Sequence, residues 1–242
     1  IIFSFAGGID YLKRKHWTKS SGGKIDESRV HYINNGMSID DFDRNKVAYS
    51  LNDEDIENEY LFKIVYLGSI RLVNDVQQII DAISLLSDYK DICLFIYGNG
   101  DQRKRLVKYC EDREISNVVF KQECIPLSHV PYVMSHSNLN ILNYQKGFGD
   151  YGISSGKLFQ SLAAGKPIVC NVNIAYDDII TDNQLGIAGG LNTPRKYADA
   201  ILKIYHLDKE NYDRMCGRVR EVAKRFDFEV LSKQLKKVLE QE

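Results

Sequence analysis

The chain of 242 residues is 44% hydrophobic and 27% charged, enough apolar material for a large core spread over one or two domains. Its 32 Lys and Arg balance 33 Asp and Glu to a formal charge of −1, so no global field points to nucleic acid and any basic site must be local. Five scattered cysteines (Cys93, Cys110, Cys124, Cys170, Cys216) read as free thiols of a reducing compartment. No apolar run approaches the roughly 20 residues of a membrane-spanning helix. The expected location is the cytoplasm, with membrane contact at most peripheral and on the inner face.

The chain opens on a strand-like run, IIFSFAGG, with no initiator Met and no charged signal flank, as a fragment of a longer protein would. YLKRKHWTK (11–19) follows, with Trp17 amid Lys13, Arg14, Lys15 and Lys19. It reads either as an interfacial segment for an anionic membrane or as a solvated helix. RVHYINNG is a strand ending in an Asn-Gly turn, and Asp41-Phe-Asp43 behind it is read as a turn and helix cap. Residues 1–45 are expected to be the tail of a preceding domain and a hinge.

From Phe62 the pattern changes. FKIVYLG (62–68) precedes VNDVQQIIDAISLL (73–86), where Val76, Ile79, Ile80, Ile83 and Leu86 recur at helical spacing. Five further strand-then-helix units follow: 92–98 with 101–113, 117–120 with 127–136, 138–143 with 155–165, 167–171 with 177–183, and 185–190 with 194–207. Such alternation predicts an α/β domain, a doubly wound parallel sheet of the Rossmann type, over 46–225. Two helical patterns close the chain, separated at Asp227, and 226–242 is set apart as a C-terminal helix.

Ligands of open parallel sheets sit beyond the carboxyl ends of the strands, so the strand-to-helix loops carry the candidate site. YGNGDQR offers Gly98 and Gly100, with Arg103 where a dinucleotide fingerprint has its third glycine. It reads equally as a tight turn or as a place of ligand approach. KGFGDYGISSGK is the stronger signal. Free N–H groups at a helix start attract an anion, residues without bulk let a phosphate reach them, and Lys157 adds a full charge. A cation in the first turn costs the helix roughly 0.3–1 kcal/mol, which argues that Lys157 serves a ligand. The alternative is a solvated lysine behind a cap at Ser154 or Ser155. The five histidines show no metal-ligand spacing, and phosphate-loop, nucleophile-elbow and zinc-helix motifs do not occur.

Taken in order, HYINNGMSIDDF, VYLGSIRLVNDVQQIIDAISLL, FIYGNGDQRKRL, NVVFKQECIPLSHVPYVMSHSNLNILN and SSGKLFQSLAAGKPIVCN resemble the C-terminal half of a family 4 glycosyltransferase with the GT-B fold, of the surface-polysaccharide biosynthesis type. The resemblance spans roughly residues 28–240. It implies a nucleotide-sugar donor, UDP-linked, whose base rests near Gly98, Asn99 and the Glu123–Ile125 loop, with its diphosphate on the N–H groups of Ser155, Gly156 and Lys157. Gly68, Ser69, Gly100, Gly152, Ile153, Ser154 and Gln160 complete the implied donor site. Hexosyl or N-acetylhexosaminyl transfer would proceed with retention to a glycan or polyprenyl-linked acceptor, with no metal and no cofactor.

The sequence departs from that family at four places. Gly152 and Gln160 stand where paired glutamates often stand, and Ser69 and Asn74 stand where an Arg and a Lys usually grip the diphosphate. Arg71 and Lys157 are the residues expected to supply that charge and to act in catalysis. A non-catalytic nucleotide-binding module and, on an incomplete glycine pattern, an NAD-type oxidoreductase are the alternatives.

Overall fold

The structure is a computed structural model, and it describes residues 1–145 and 147–240. Lys146, in the loop before the Lys157 helix, and Gln241 and Glu242, at the end of the expected C-terminal helix, lie outside the described residues. The opening segment forms β1 (Ile2–Phe3), α1 (Gly8–Arg14) and β2 (His31–Tyr32), and the two strands pair in parallel as a small sheet of their own. Helix α2 (Ile39–Ala48) and the single turn α3 (Glu54–Glu57) lead into the main sheet.

Six strand–helix units then follow in the order that the periodicities predict. They are β3 (Phe62–Leu67) with α4 (Val76–Ser84), β4 (Ile92–Tyr97) with α5 (Arg103–Asp112), and β5 (Val118–Phe120) with α6 (Val130–Ser135). Next come β6 (Leu139–Leu142) with α7 (Gly156–Ala164), β7 (Ile168–Cys170) with α8 (Ile179–Asp182), and β8 (Gly186–Ala188) with α9 (Pro194–Tyr205). Helices α10 (Lys209–Ala223) and α11 (Phe228–Leu239) close the chain. The six strands are parallel in the order β5-β4-β3-β6-β7-β8, the doubly wound arrangement. Sheet growth reverses between β3 and β6, which opens a crevice at their carboxyl ends.

Burial explains the strand sequences. Ile92, Leu94, Phe95, Ile96 and Tyr97 of β4 are all buried, because helices cover both faces and an alternating pattern would put polar groups in the core. One face packs Ile64, Ile79, Ile83 and Ile201, while the other packs Leu158, Phe159, Leu162 and Val219. Helix starts follow cap chemistry: Asp178, Thr193, Asp208 and Asp227 accept backbone N–H bonds at the heads of α8, α9, α10 and α11. Helix α7 stops at Gly165, whose φ of 66° is left-handed.

Two expectations for the opening segment are corrected. Asp41 and Asp43 lie inside α2 rather than in a turn, and the cap is Ser38, whose Oγ accepts from the Asp41 N–H at 3.1 Å. Asp43 pairs with Arg220 of α10. Asn35-Gly36 does not turn a hairpin. The chain runs on beside residues 226–228, with Met37 N–H donating to the Phe226 carbonyl at 3.1 Å and Phe228 N–H to the Met37 carbonyl at 3.0 Å. A Cβ on Gly36 would lie 2.0 Å from the Phe226 oxygen, so glycine is required by close approach.

Candidate donor site

The loops after β3 and β4 pack against each other at the crevice, and this fixes the Gly-x-Gly. A Cβ on Gly98, whose φ is 137°, would meet the Gly68 oxygen at 1.9 Å, and one on Gly100 would meet the Ile70 oxygen at 2.2 Å. The glycines are therefore there for loop-on-loop contact. Gly98 also lines the adjoining cleft, whereas Gly100, expected in the site, does not.

Beside them lies a cleft of ≈ 300 Å³. Of the residues singled out in the sequence, Gly68, Ser69, Gly98, Asn99, Glu123, Ile125 and Gln160 line it. Cys124 of the expected Glu123–Ile125 loop lines it too, as do Tyr97 and Leu127, which sequence reasoning missed. Tyr97 ends a buried strand and is itself core, 1% exposed, although it stands at the edge of the cleft. Its hydroxyl donates to Asp53 at 2.8 Å, and Lys121 donates to the same carboxylate at 2.6 Å. A larger hollow of ≈ 600 Å³, lined by Val107, Cys110, Glu111 and Val118–Phe120, sits at the β5 edge, away from the crevice.

Lys157 is neither solvated nor behind a side-chain cap. Ser155 holds the N-cap backbone position, but its hydroxyl makes no cap bond. The lysine side chain instead crosses to the β3 side. Its Nζ lies 3.2 Å from Asn74 Oδ1, 3.4 Å from the Tyr66 hydroxyl, and 5.0 Å from the ring centres of both Tyr66 and Tyr144. The Lys157 stem fills the space that a Cβ on Gly68 would need, its Cδ lying 2.8 Å from that position. Burial lowers the ammonium to about 8, and no carboxylate lies within ion-pair distance of it among the described residues.

The surroundings of this cation are neutral and ordered. Asn74 Nδ2 donates to the Ser69 carbonyl at 2.8 Å and to Ser69 Oγ at 2.9 Å, and the Tyr66 hydroxyl donates to the same carbonyl at 2.7 Å. Burial raises both phenols, so Tyr66 and Tyr144 remain protonated. The Tyr144 hydroxyl is buried with no hydrogen-bond partner among the described residues. Arg71 is exposed in the turn after β3, and none of its donors is used within the described residues.

The rest of the α7 loop is held from outside. Gly152 has a φ of 102°, and a Cβ there would lie 3.2 Å from the Ala6 nitrogen and 3.3 Å from the Tyr176 oxygen. Ile153 is buried, and its carbonyl accepts from Asn34 at 3.3 Å. Ser154 is half-buried. Gly156 faces a second hollow of ≈ 290 Å³ beside Gly36–Ser38, and Gln160 lines both hollows. No group of three or more His, Cys, Asp or Glu side chains that could hold a metal ion occurs among the described residues.

The family model "Glycosyl transferases group 1" matches residues 52–222, which include the whole crevice. The chain belongs to this family. An uncharacterized glycosyltransferase of Methanocaldococcus jannaschii is 22% identical over 222 residues, covering 89% of this chain and 54% of its own. TuaH of Bacillus subtilis, a glycosyltransferase assigned to teichuronic acid biosynthesis, is 27% identical over 160 residues, 66% of this chain and 38% of its own. The chain thus spans about half or less of these curated relatives. Among solved structures, a glycosyltransferase of Rickettsia africae superposes with a TM-score of 0.76 at 16% identity, covering 99% of this chain and 62% of that one. Anabaena HepE in complex with UDP superposes at 0.73 and 15% identity, covering 92% and 60%. These likenesses give the fold, that of the C-terminal half of a GT-B glycosyltransferase.

As a group 1 glycosyltransferase, the chain carries its departures in one region. The side chain at 74 is neutral, yet the ammonium of residue 157 stands 3.2 Å from it. At 152, positive φ and two backbone atoms 3.2 and 3.3 Å from a Cβ make any side chain strained.

None of the described helices is long and apolar enough to cross a membrane.

Proposed function

We propose that this chain is the donor-binding half of a retaining glycosyltransferase, which moves a hexosyl or N-acetylhexosaminyl group from a UDP-sugar to a glycan or polyprenyl-linked acceptor. One observation carries the reading: a lysine without a carboxylate partner sits at the β3/β6 switch point, at the head of α7, next to a cleft of ≈ 300 Å³ walled by glycines. A buried ammonium of this kind calls for an anion. The head of α7 adds N–H groups and about half a positive charge from the helix dipole.

In this reading the base occupies the cleft between Gly98 and Ile125, Gln160 bonds a ribose hydroxyl, and the diphosphate meets Ser155, Gly156 and Lys157. Lys157 and exposed Arg71 stabilise the charge that grows on the leaving diphosphate, as electrostatic catalysis requires, so the reading needs no metal ion. Lys157 replaces from α7 the cation that position 74 lacks. UDP is supported by HepE, whose structure holds it, and a surface-polymer acceptor by the teichuronic acid assignment of TuaH. Assembly of surface polysaccharide at the cytoplasmic side of a membrane, with peripheral contact, completes the proposal.

Gly152 favours a second reading, a nucleotide-binding module without turnover, because the position offers no carboxylate to the donor sugar. Calorimetric titration with UDP-, GDP- and TDP-sugars tests the donor site; failure of every one to bind ends the proposal. Turnover by the full-length protein separates the two readings, since a pure binder shows none.

A further inference from the structure

The wall of the cleft is built largely from the ends of β4 and β5, and the Arg103 side chain bonds to both. Arg103 opens α5, and its side chain is only 12% exposed. Its Nη1 donates to the Gly98 carbonyl at 2.9 Å and its Nη2 to the Lys121 carbonyl at 2.6 Å. The guanidinium lies 5.3 Å from the ring centre of Phe120, and its Nε is 3.5 Å from Glu123 Oε1. Glu123 Oε2 in turn accepts from Asn99 Nδ2 at 2.8 Å, and Asn99 Oδ1 accepts from the Gly100 N–H at 2.7 Å. Three cleft-lining residues, Gly98, Asn99 and Glu123, are thus fixed through one planar group.

We infer that Arg103 is a positioning residue for the nucleotide base: its guanidinium sets the spacing of the β4 and β5 loops between which the base is read. The inference rests on the donor-site reading above. Without the guanidinium the Gly98 and Lys121 carbonyls lose their shared donor, and the two loops are left to backbone bonds such as Gly98 N–H to the Gln122 carbonyl at 3.2 Å. A lysine cannot serve, because an ammonium on a flexible stem does not present the two coplanar N–H groups that span both oxygens. The other end of the site meets Arg103 only through the β4 loop, where the Ile70 N–H donates to the Asn99 carbonyl at 2.8 Å. Lys157, Tyr66, Asn74 and the head of α7 stand on β3, β6 and their loops, and none of them bonds to Arg103. Loss of Arg103 is therefore expected to weaken recognition of the nucleoside far more than that of the diphosphate. A residue that merely held the fold together would weaken both.

The test compares the full chain with Arg103→Lys, Arg103→Gln and Arg103→Ala. UDP affinity is measured by calorimetry and pyrophosphate affinity by competition against it, with melting curves as the control for folding. Each substitution is expected to weaken UDP about tenfold and to hold pyrophosphate within about twofold. Selectivity for UDP over GDP and ADP should fall, and millimolar guanidinium should restore UDP binding to Arg103→Ala but not to the wild type's level in Arg103→Lys. Unchanged UDP affinity in Arg103→Lys, or pyrophosphate affinity falling in step with UDP, overturns the inference. If the wild type binds neither UDP nor pyrophosphate, the donor-site reading itself is wrong, an outcome distinct from insensitive Arg103 variants in a protein that binds both.

Discussion

Lys157 gives the most exposed prediction. Its ammonium titrates at about 8 because burial removes it from water and no carboxylate repays the loss. A diphosphate bound at the head of α7 restores that compensation, so donor binding and protonation of Lys157 are coupled. A charge-assisted hydrogen bond from a buried cation contributes about 1.5–3 kcal/mol, so Lys157→Ala should weaken UDP by roughly tenfold to a hundredfold. Above about 8 the wild-type dissociation constant should climb toward tenfold per pH unit, because the free protein must first take up a proton. Phosphate ionisation, with a second pKa of about 6, is already complete there and adds no slope. The unliganded fold should show the opposite trend. Folding lowers this lysine from 10.5 to about 8, so between these values the unfolded chain holds the extra proton and stability rises with pH. Calorimetry between pH 7 and 10 (roughly the range set by that shift) on wild type and Lys157→Ala is the assay. A flat wild-type profile, or equal slopes in both proteins, would refute the coupling. The double variant Asn74→Lys with Lys157→Asn returns the cation to the β3 side and should recover most of the affinity lost in Lys157→Asn alone.

Three further outcomes are expected. Gly98→Ala puts a methyl 1.9 Å from the Gly68 oxygen at positive φ; stability in urea should fall by about 2 kcal/mol or more, with UDP binding lost as the loops part. Asp53→Asn removes the carboxylate that Tyr97 and Lys121 share and should cost about 1 kcal/mol by chemical denaturation, since Lys121 keeps its second carboxylate, Asp55, at 2.6 Å. Because Asp53 is held below its ordinary 3.8, wild-type stability should also drop as pH falls below that value, and Asp53→Asn should blunt the drop. Gly152→Glu, which adds a carboxylate beside the head of α7, should lower donor affinity rather than raise it, because φ of 102° and the Ala6 and Tyr176 backbone atoms 3.2 and 3.3 Å from a Cβ strain any side chain there.

The candidate site was legible in unequal parts. The α7 loop announced itself because a lysine in a first helical turn is unfavourable unless something anionic comes near. The Gly-x-Gly was visible but ambiguous, since glycine serves close backbone packing and ligand approach alike, and here the neighbouring Gly68 and Ile70 carbonyls demand it. Tyr66 and Tyr144 gave no signal, because a tyrosine near the end of a buried strand is indistinguishable from core in one dimension, while Asn74 stood out only as a missing cation. The direction of Lys157 was likewise hidden: periodicity places a residue on a helix face but does not say which neighbouring strand its side chain will cross.

Period and composition alone determined six parallel strands, the helix after each of them and the stop at Gly165, because these depend on local geometry and on which residues can be buried on two sides. Tertiary structure alone decided that the cation of α7 ends beside Asn74 of the β3 loop, that Arg103 binds two loops at once, and that a side chain at 152 would be strained. Each of these depends on distances between segments far apart in the chain, and the chain order carries no measure of such distances.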